Sequence, residues 1–348
     1  MDSTKVVIVA VEQQKGASTA SLHELGQLAE TAGGVVVGKI TETSPHVNPY
    51  YYVNDSTLAE LKQMITKTKA DLLITDDELT DTQHMALSTK LSIKVKDRTR
   101  ILLKIFNKHE IKAQEEAERK KRFESHIPLV ALVGYTNAGK TSILNALAGT
   151  TVPTDDKLFV TQDTTSCIIK LPETETKVYF TDTVGFINKL PHHLINAFQA
   201  TLEEVKNADI LIHVIDSSAP NQHQQMSVVY ETLNKLGFSS KLIISALNKT
   251  DIANDLSGMR IDGNAYYTVP VSASTGFNIG ELLMAVENLT QAQRTEIKVI
   301  IPYAESALTY KVFENCRIKK QEDRESGIYM EIFASKPMVG RLMDYRVD

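Results

Sequence analysis

The sequence is short of cysteine, of long apolar runs and of net positive charge, and each shortage excludes a class of protein. Its two cysteines, Cys167 and Cys316, lie far apart. Neither a disulfide framework nor a cysteine-based zinc site is expected, and the chain fits a reducing compartment. No apolar run approaches the roughly 18 residues that span a bilayer, so no membrane insertion is expected. The start, Met1-Asp2-Ser3-Thr4-Lys5, leads straight into a strand pattern and does not resemble a signal peptide. A cytoplasmic protein is the expectation. The formal net charge of −5 gives no global reason to bind nucleic acid. No DNA partner is expected, and contact with RNA would need a local patch. What remains is ordinary: 348 residues, 42% hydrophobic and 23% charged, the make-up of a globular chain of two or three domains.

The chain is organised around Gly134-Tyr135-Thr136-Asn137-Ala138-Gly139-Lys140-Thr141. The apolar run Ile127–Val133 precedes it and a helical pattern from Ser142 to Gly149 follows. Strand, glycine-rich turn and helix together make the context of a phosphate-binding loop. The glycines let backbone N–H groups face an anion, and the new helix adds its positive dipole end. Lys140 can reach the β- and γ-phosphates, and the Thr141 hydroxyl can ligate Mg²⁺.

Before this loop, residues 1–96 read as a small α/β domain. Strand patterns fall at Lys5–Val11, Val35–Ile40, Leu72–Thr75 and Ile93–Val95. Helical stripes fall at Leu22–Ala29, Thr57–Thr68 and Gln83–Leu91. The alternation implies a mostly parallel sheet covered by helices. Tyr50-Tyr51-Tyr52 lies in a loop and reads either as ordinary packing or as a surface on which bases stack. Residues 97–126 read as one basic helical linker. Residues 90–126 hold 12 Lys/Arg against 6 Asp/Glu, ending in Arg119-Lys120-Lys121-Arg122. Such a run is either a solvated face or a phosphate-backbone contact.

Three further elements follow within residues 127–292. Lys177–Thr181 is a strand ending in Asp182-Thr183-Val184-Gly185, which offers a carboxylate to Mg²⁺ through water and a Gly185 N–H to sense a γ-phosphate. A second strand delivers Asn248-Lys249-Thr250-Asp251, whose last carboxylate accepts two hydrogen bonds from the guanine edge; adenine has no such pair of donors. A third ends in Ser272-Ala273-Ser274, whose backbone can face the guanine O6. Together these elements, in this order, imply GTP binding. The expected architecture is an α/β P-loop GTPase domain between the N-terminal α/β domain and a small α/β appendage over residues 293–348.

Longer runs carry a resemblance. Phe180–Ile187, Leu190–Leu194 and Ala197–Glu204 resemble the HflX family of ribosome-associated GTPases. So do Tyr135, Thr136 and Asn137 in the phosphate loop, Asp76–Leu79 with Thr82 and Gln83, and Val95–Thr99 with Ile105 and Phe106. The resemblance implies GTP hydrolysis with Mg²⁺, a switch acting on the large ribosomal subunit through its rRNA, and a monomer. Two departures stand out. Only about twenty residues separate Phe106 from Ile127, so most of the family's long helical hairpin is absent. The family's first switch commonly reads Asp-Pro-Thr, whereas this chain has Phe159-Val160-Thr161-Gln162-Asp163-Thr164-Thr165.

The candidate nucleotide contacts are Gly134–Ser142 (Gly134, Tyr135, Thr136, Asn137, Ala138, Gly139, Lys140, Thr141, Ser142), Phe159, Val160, Thr161, Asp182–Gly185 (Asp182, Thr183, Val184, Gly185), Asn248, Lys249, Asp251 and Ser272–Ser274 (Ser272, Ala273, Ser274). The candidate Mg²⁺ set is Thr141, Asp182 and Thr165, with Thr164 as the alternative threonine. Many GTPases carry a glutamine after Asp-x-x-Gly to orient water; here Phe186 stands there, so the catalytic group is unassigned. Asn137 resembles the loop asparagine that helps some GTPases hold K⁺, or else it closes the loop's own hydrogen bonds. His192 and His193 are neighbours on a helical pattern, do not share a face, and are not expected to bind metal. Two competing readings are a GTP-gated RNA- or protein-binding module with negligible turnover, and a metabolic P-loop kinase. The guanine-selecting elements argue against the kinase.

Overall fold

Val6–Val11 is apolar at every position, with no polar alternation, which suits a strand buried on both faces and flanked by parallel neighbours. In the computed structural model, which describes residues 4–12, 19–106, 127–149, 166–187, 199–253 and 261–347, this stretch is the inner strand β1 (Thr4–Glu12). It pairs in parallel with β2 (Gly34–Thr43) and β3 (Leu72–Thr75), and β3 pairs with β4 (Lys94–Asp97). The sheet order is β2-β1-β3-β4, the parallel sheet expected. Helices α1 (Thr19–Thr31), α2 (Asp55–Thr68) and α3 (Asp81–Leu91) cover it. Local chemistry sets their starts. Asn54 accepts the Thr57 N–H, and Thr80 with Gln83 forms a reciprocal capping box.

The next helix, α4 (Arg98–Phe106), begins where the sequence suggested a linker. Ile101, Leu102 and Ile105 are buried in one cluster with Ile8, Leu25, Leu28 and Ile74. Their spacing gives the helix one apolar face, and that face is used by the N-terminal sheet. Residues 98–106 therefore pack as part of the first unit, which extends past the boundary expected at 96. Residues 107–126, including Arg119–Arg122, lie outside the described residues.

The second sheet runs β10-β9-β8-β5-β7-β6. Its strands are β5 (Leu129–Gly134), β6 (Ser166–Lys170), β7 (Lys177–Asp182), β8 (Ile210–Asp216), β9 (Leu242–Asn248) and β10 (Tyr267–Pro270). All neighbours are parallel except β6, which pairs antiparallel with β7. On one face lie α5 (Lys140–Ala148) and α8 (Ile279–Ala292); on the other lie α6 (Gln199–Asn207) and α7 (Gln222–Lys235).

The C-terminal unit is an antiparallel sheet ordered β11-β13-β12, from β11 (Thr295–Ile301), β12 (Arg317–Arg324) and β13 (Gly327–Ala334). Helices α9 (Ser306–Asn315) and α10 (Lys336–Leu342) accompany it. Val312, Met338 and Leu342 pack against Val299, Met330 and Ile332 in its core. The strand β12 leaves no signal in the sequence, because Arg317-Ile318-Lys319-Lys320-Gln321-Glu322-Asp323-Arg324 has no apolar face to read. It is an edge strand, and charge on an edge blocks further pairing.

Behind the phosphate loop, β8 places His213 in the core with 1% exposure. Its ring meets Tyr230 edge to face at 5.0 Å, and Tyr230 and Ser245 both donate to Asp262. Burial pushes His213 down to about 4, with the Asp262 carboxylate opposing the shift. The folded state thus disfavours the imidazolium. Stability is present above the ordinary pKa near 6.5 and is lost as pH falls toward 4, by about 2 kcal/mol at pH 5. The expected result is a melting temperature that drops between pH 7.5 and 5, with a shallower drop in His213→Leu. An identical pH slope in that variant would assign the acid sensitivity elsewhere.

Candidate functional site

The fully buried β5 ends in Gly134 at φ +155°, where an added Cβ would lie 2.3 Å from the Val214 carbonyl oxygen. Only glycine fits this exit from the sheet. The chain then runs over Tyr135–Ala138 and enters α5 through Gly139 at φ +92°. The Lys140 ammonium turns back into the loop and donates to the Tyr135 carbonyl at 3.0 Å and the Gly134 carbonyl at 3.3 Å. Burial lowers its pKa to about 8, opposed by Asp182. A buried cation above the start of a helix, held by carbonyls that a phosphate would replace, is chemically a polyanion receptor.

Asp182 ends β7 beside this loop and is fully buried. Its Oδ2 accepts the Thr141 hydroxyl at 2.5 Å. A carboxylate and a hydroxyl this close, next to a phosphate receptor, form the hard-oxygen donor set that Mg²⁺ takes alongside phosphate oxygens and water. The residues present therefore fit the ion. Phe159, Val160, Thr161, Thr164 and Thr165 lie outside the described residues, as do His192 and His193.

Asn248, at the end of β9, ties the two halves of the site together. Its Nδ2 donates to the Ala138 carbonyl at 3.0 Å, and its Oδ1 accepts the Ala273 N–H at 3.1 Å. Asp251 is exposed, and both its oxygens are oriented. Oδ1 accepts from Ser272 Oγ at 2.7 Å and Oδ2 from Ser274 Oγ at 2.9 Å. These hydroxyls lower its pKa. A carboxylate held in this way presents two fixed acceptors to the neighbouring N1–H and N2–H₂ donors of guanine. The Ser272 N–H is spent on the Phe277 carbonyl and the Ala273 N–H on Asn248.

Several sequence candidates turn their side chains elsewhere. The Thr183 hydroxyl donates to the Leu132 carbonyl at 2.6 Å and locks β7 to β5. Val184 is buried in the N-terminal cluster together with Ile187. The Tyr135 hydroxyl donates to Glu24 of α1, Glu24 pairs with Arg98 of α4, and Arg98 pairs with Asp76 at 2.7 Å. All four residues are buried. Burial lowers Arg98 to about 10. Of the three tyrosines at 50–52, Tyr52 is in the core, donating to Asp77 at 2.8 Å, which leaves Tyr50 and Tyr51 for any stacking surface. Asn137 is exposed at φ +60°, and its side chain makes no hydrogen bond to a described residue. Sequence reasoning missed Glu24 and Asp216, and it held Arg98 only as part of Val95–Thr99, with no role of its own. Glu24 looks like an ordinary charge on an amphipathic helix. Asp216 carries one local signal, the turn-forming Asp216-Ser217-Ser218 after a buried strand.

Phe186 is buried rather than facing the phosphates. Its N–H donates to the Gly134 carbonyl and its carbonyl accepts the Thr136 N–H, both at 2.9 Å. Gly185 is therefore pressed onto the loop: a Cβ there would be 2.7 Å from Thr136 Cα and 2.9 Å from Lys140 Nζ. In this arrangement the segment after Asp-x-x-Gly is closed against the phosphate loop.

The chain is similar to known proteins along nearly its whole length. Residues 19–107 match the family described as GTP-binding GTPase N-terminal, and residues 129–249 match 50S ribosome-binding GTPase. The protein named GTPase HflX from Lacrimispora saccharolytica is 32% identical over 410 aligned positions, covering 98% of this chain and 96% of that protein. GTPase HflX from Caldanaerobacter subterraneus subsp. tengcongensis is 31% identical, covering 99% and 94%. Among solved structures, a GTP-binding protein from the hyperthermophilic archaeon Sulfolobus solfataricus in complex with GDP is 25% identical. It covers 82% of this chain and 98% of its own, with a TM-score of 0.43.

Proposed function

The chain belongs to the HflX family of GTPases, which bind and hydrolyse GTP, and from that premise we propose that it is a nucleotide-driven switch on the large ribosomal subunit. One observation carries the reading: the closed contact of Gly185 and Phe186 on the phosphate loop is continuous with the N-terminal unit through Val184, Ile187 and the Tyr135–Glu24–Arg98–Asp76 chain. A γ-phosphate reaching the Gly185 N–H must part Gly185 from Thr136. That shift pulls on Val184 and Ile187, so the nucleotide state biases how the N-terminal unit is held. The ribosomal partner comes from the family. Sedimentation with large subunits tests it, with more co-migration expected with a non-hydrolysable GTP analogue than with GDP. Equal co-migration would defeat the switch.

Mg²⁺ held by Thr141 and Asp182, with Thr165 or Thr164 as a further ligand, would neutralise phosphate charge. Lys140 and the loop amides orient the phosphates. Phe186, at the position of the water-orienting glutamine, is buried and its side chain cannot hydrogen-bond, so a partner or another residue must position the water. Turnover by the isolated protein is therefore expected to be slow, on the order of 10⁻⁴ to 10⁻² s⁻¹. Asn137, exposed and without a partner in its own loop, suits a role in holding K⁺ near the phosphates. Equal rates in K⁺ and Na⁺ buffers with ribosomes present would remove that role. Fast turnover without ribosomes would show that the protein positions the water itself. With about twenty residues between Phe106 and Ile127, we expect docking on the subunit as a monomer without efficient dissociation of whole ribosomes. Binding should weaken steeply with salt, and changing Arg119, Lys120, Lys121 and Arg122 to glutamine should flatten that slope.

A further inference from the structure

Lys249 is one of the few non-glycine residues held at positive φ, here +63°. Such a residue is strained unless its surroundings hold it. The backbone on either side is fixed: the Asn248 carbonyl accepts the Ser217 N–H at 2.9 Å, and the Thr250 hydroxyl donates to the Val271 carbonyl at 2.9 Å. From this constrained point the side chain runs to the end of β8, where its ammonium donates to Asp216 Oδ2 at 2.7 Å. Asp216 is itself immobilised, because its Oδ1 accepts both the N–H and the hydroxyl of Ser218, at 2.9 and 2.6 Å. Side-chain exposure is 26% for Lys249 and 15% for Asp216, so the pair escapes much of the screening that leaves fully exposed ion pairs near zero.

We propose that Asp216 is a positioning residue for the guanine site, holding the Lys249 stem as an apolar wall against the purine face. The site's other groups leave this task open. Asn248 is used up between Ala138 and Ala273, and Asp251 with its two serines addresses the edge of the base. A lysine stem tethered at both ends has lost its rotamer freedom before the base arrives. An untethered one loses it on binding, which costs affinity. The carboxylate therefore acts through Lys249 and touches no nucleotide. The inference rests on guanine-nucleotide binding by the chain but not on its ribosomal role.

The test is a set of dissociation constants and single-turnover rates for GDP, IDP and GTP. Asp216→Asn is expected to weaken GDP and IDP by the same factor, about three- to tenfold, because a face contact ignores the N2 amine that distinguishes the two bases. The hydrolysis rate at saturating GTP should be unchanged, and Asp216→Glu should recover part of the loss. Lys249→Met keeps an apolar stem without the charge, and in that background Asp216→Asn should add nothing. Unchanged affinity in Asp216→Asn overturns the proposal. So does the same loss persisting in the Lys249→Met background, which would mean that Asp216 supports the fold through Ser218. If Asp216→Asn does not fold, Lys249→Met alone decides: it must weaken GDP and IDP equally, and an altered GDP/IDP ratio refutes the wall. Failure of the unmodified protein to bind GDP would instead remove the underlying reading.

Discussion

Gly139→Ala is expected to weaken guanine-nucleotide binding by about one to two orders of magnitude while the protein still folds. Two costs combine at this position. The residue sits at φ +92°, where a side chain costs about 1–2 kcal/mol. The added Cβ would also lie 2.2 Å from Asn248 Nδ2. A side-chain tip normally moves aside, but this one is held at both ends, by the Ala138 carbonyl and the Ala273 N–H. Displacing Asn248 therefore breaks one or both bonds between the phosphate loop and the base loop, at roughly 1–3 kcal/mol. The φ penalty falls on stability, as at any such position; the displacement of Asn248 distorts the site itself, and its share of about 1–3 kcal/mol is a fall in affinity of about five- to 150-fold. Gly237→Ala is the matched control. It shares the conformational penalty at φ +79° but has open space around it, so it should lower stability slightly and leave affinity alone. Calorimetric titration with GDP reads both. A Gly139→Ala protein that binds within threefold of the parent would show that Asn248 is not the rigid tie described above.

Asp251→Asn is expected to exchange one base for another. The carboxylate offers two acceptors, oriented by Ser272 and Ser274, to two donors of guanine. Losing that charge-assisted pair costs about 1.5–3 kcal/mol, or roughly ten- to a hundredfold in affinity. The amide presents a donor where an acceptor stood, which suits the extra carbonyl of xanthine. The serine hydroxyl that faces the new NH₂ can reverse and accept from it while the other still donates to the amide oxygen, so the loop has a way to keep its shape. GTP should therefore weaken and xanthosine triphosphate should strengthen in the same protein. Competition between the two nucleotides measures it, and full retention of GTP affinity would reassign the base edge to another residue.

The two parts of the guanine site differed in how legible they were. The phosphate loop, Asp182–Gly185 and Asn248–Asp251 could be read directly, because each must be contiguous: a strand delivers it and a few backbone atoms do the work. The same holds for the parallel N-terminal sheet, whose inner strands carry the apolar runs Val6–Val11 and Leu72–Ile74. What could not be read is what depends on residues far apart in the chain. The Asp216–Lys249 pair spans 33 residues, and the tie from Tyr135 to Glu24 spans 111. Neither leaves a local pattern, since an acid at a strand end or on a helix face looks like any solvated charge. The edge strand β12 was hidden for a related reason: its identity comes from pairing with β13, not from an apolar face of its own.

By itself, then, the sequence determined that this is a GTPase with flanking α/β units, because glycine placement, burial pattern and contiguous donors and acceptors are local properties. Only the tertiary structure decided that α4 belongs to the first core and that Phe186 is folded onto the phosphate loop instead of facing the phosphates. It also decided that Val184 and Ile187 are seated in the N-terminal unit. Each of these is a choice between partners of similar chemistry. An apolar face can be buried against any core that reaches it, and a buried charge requires a partner without naming which one. Packing among all the units made those choices, and they are what connects the nucleotide to the rest of the chain.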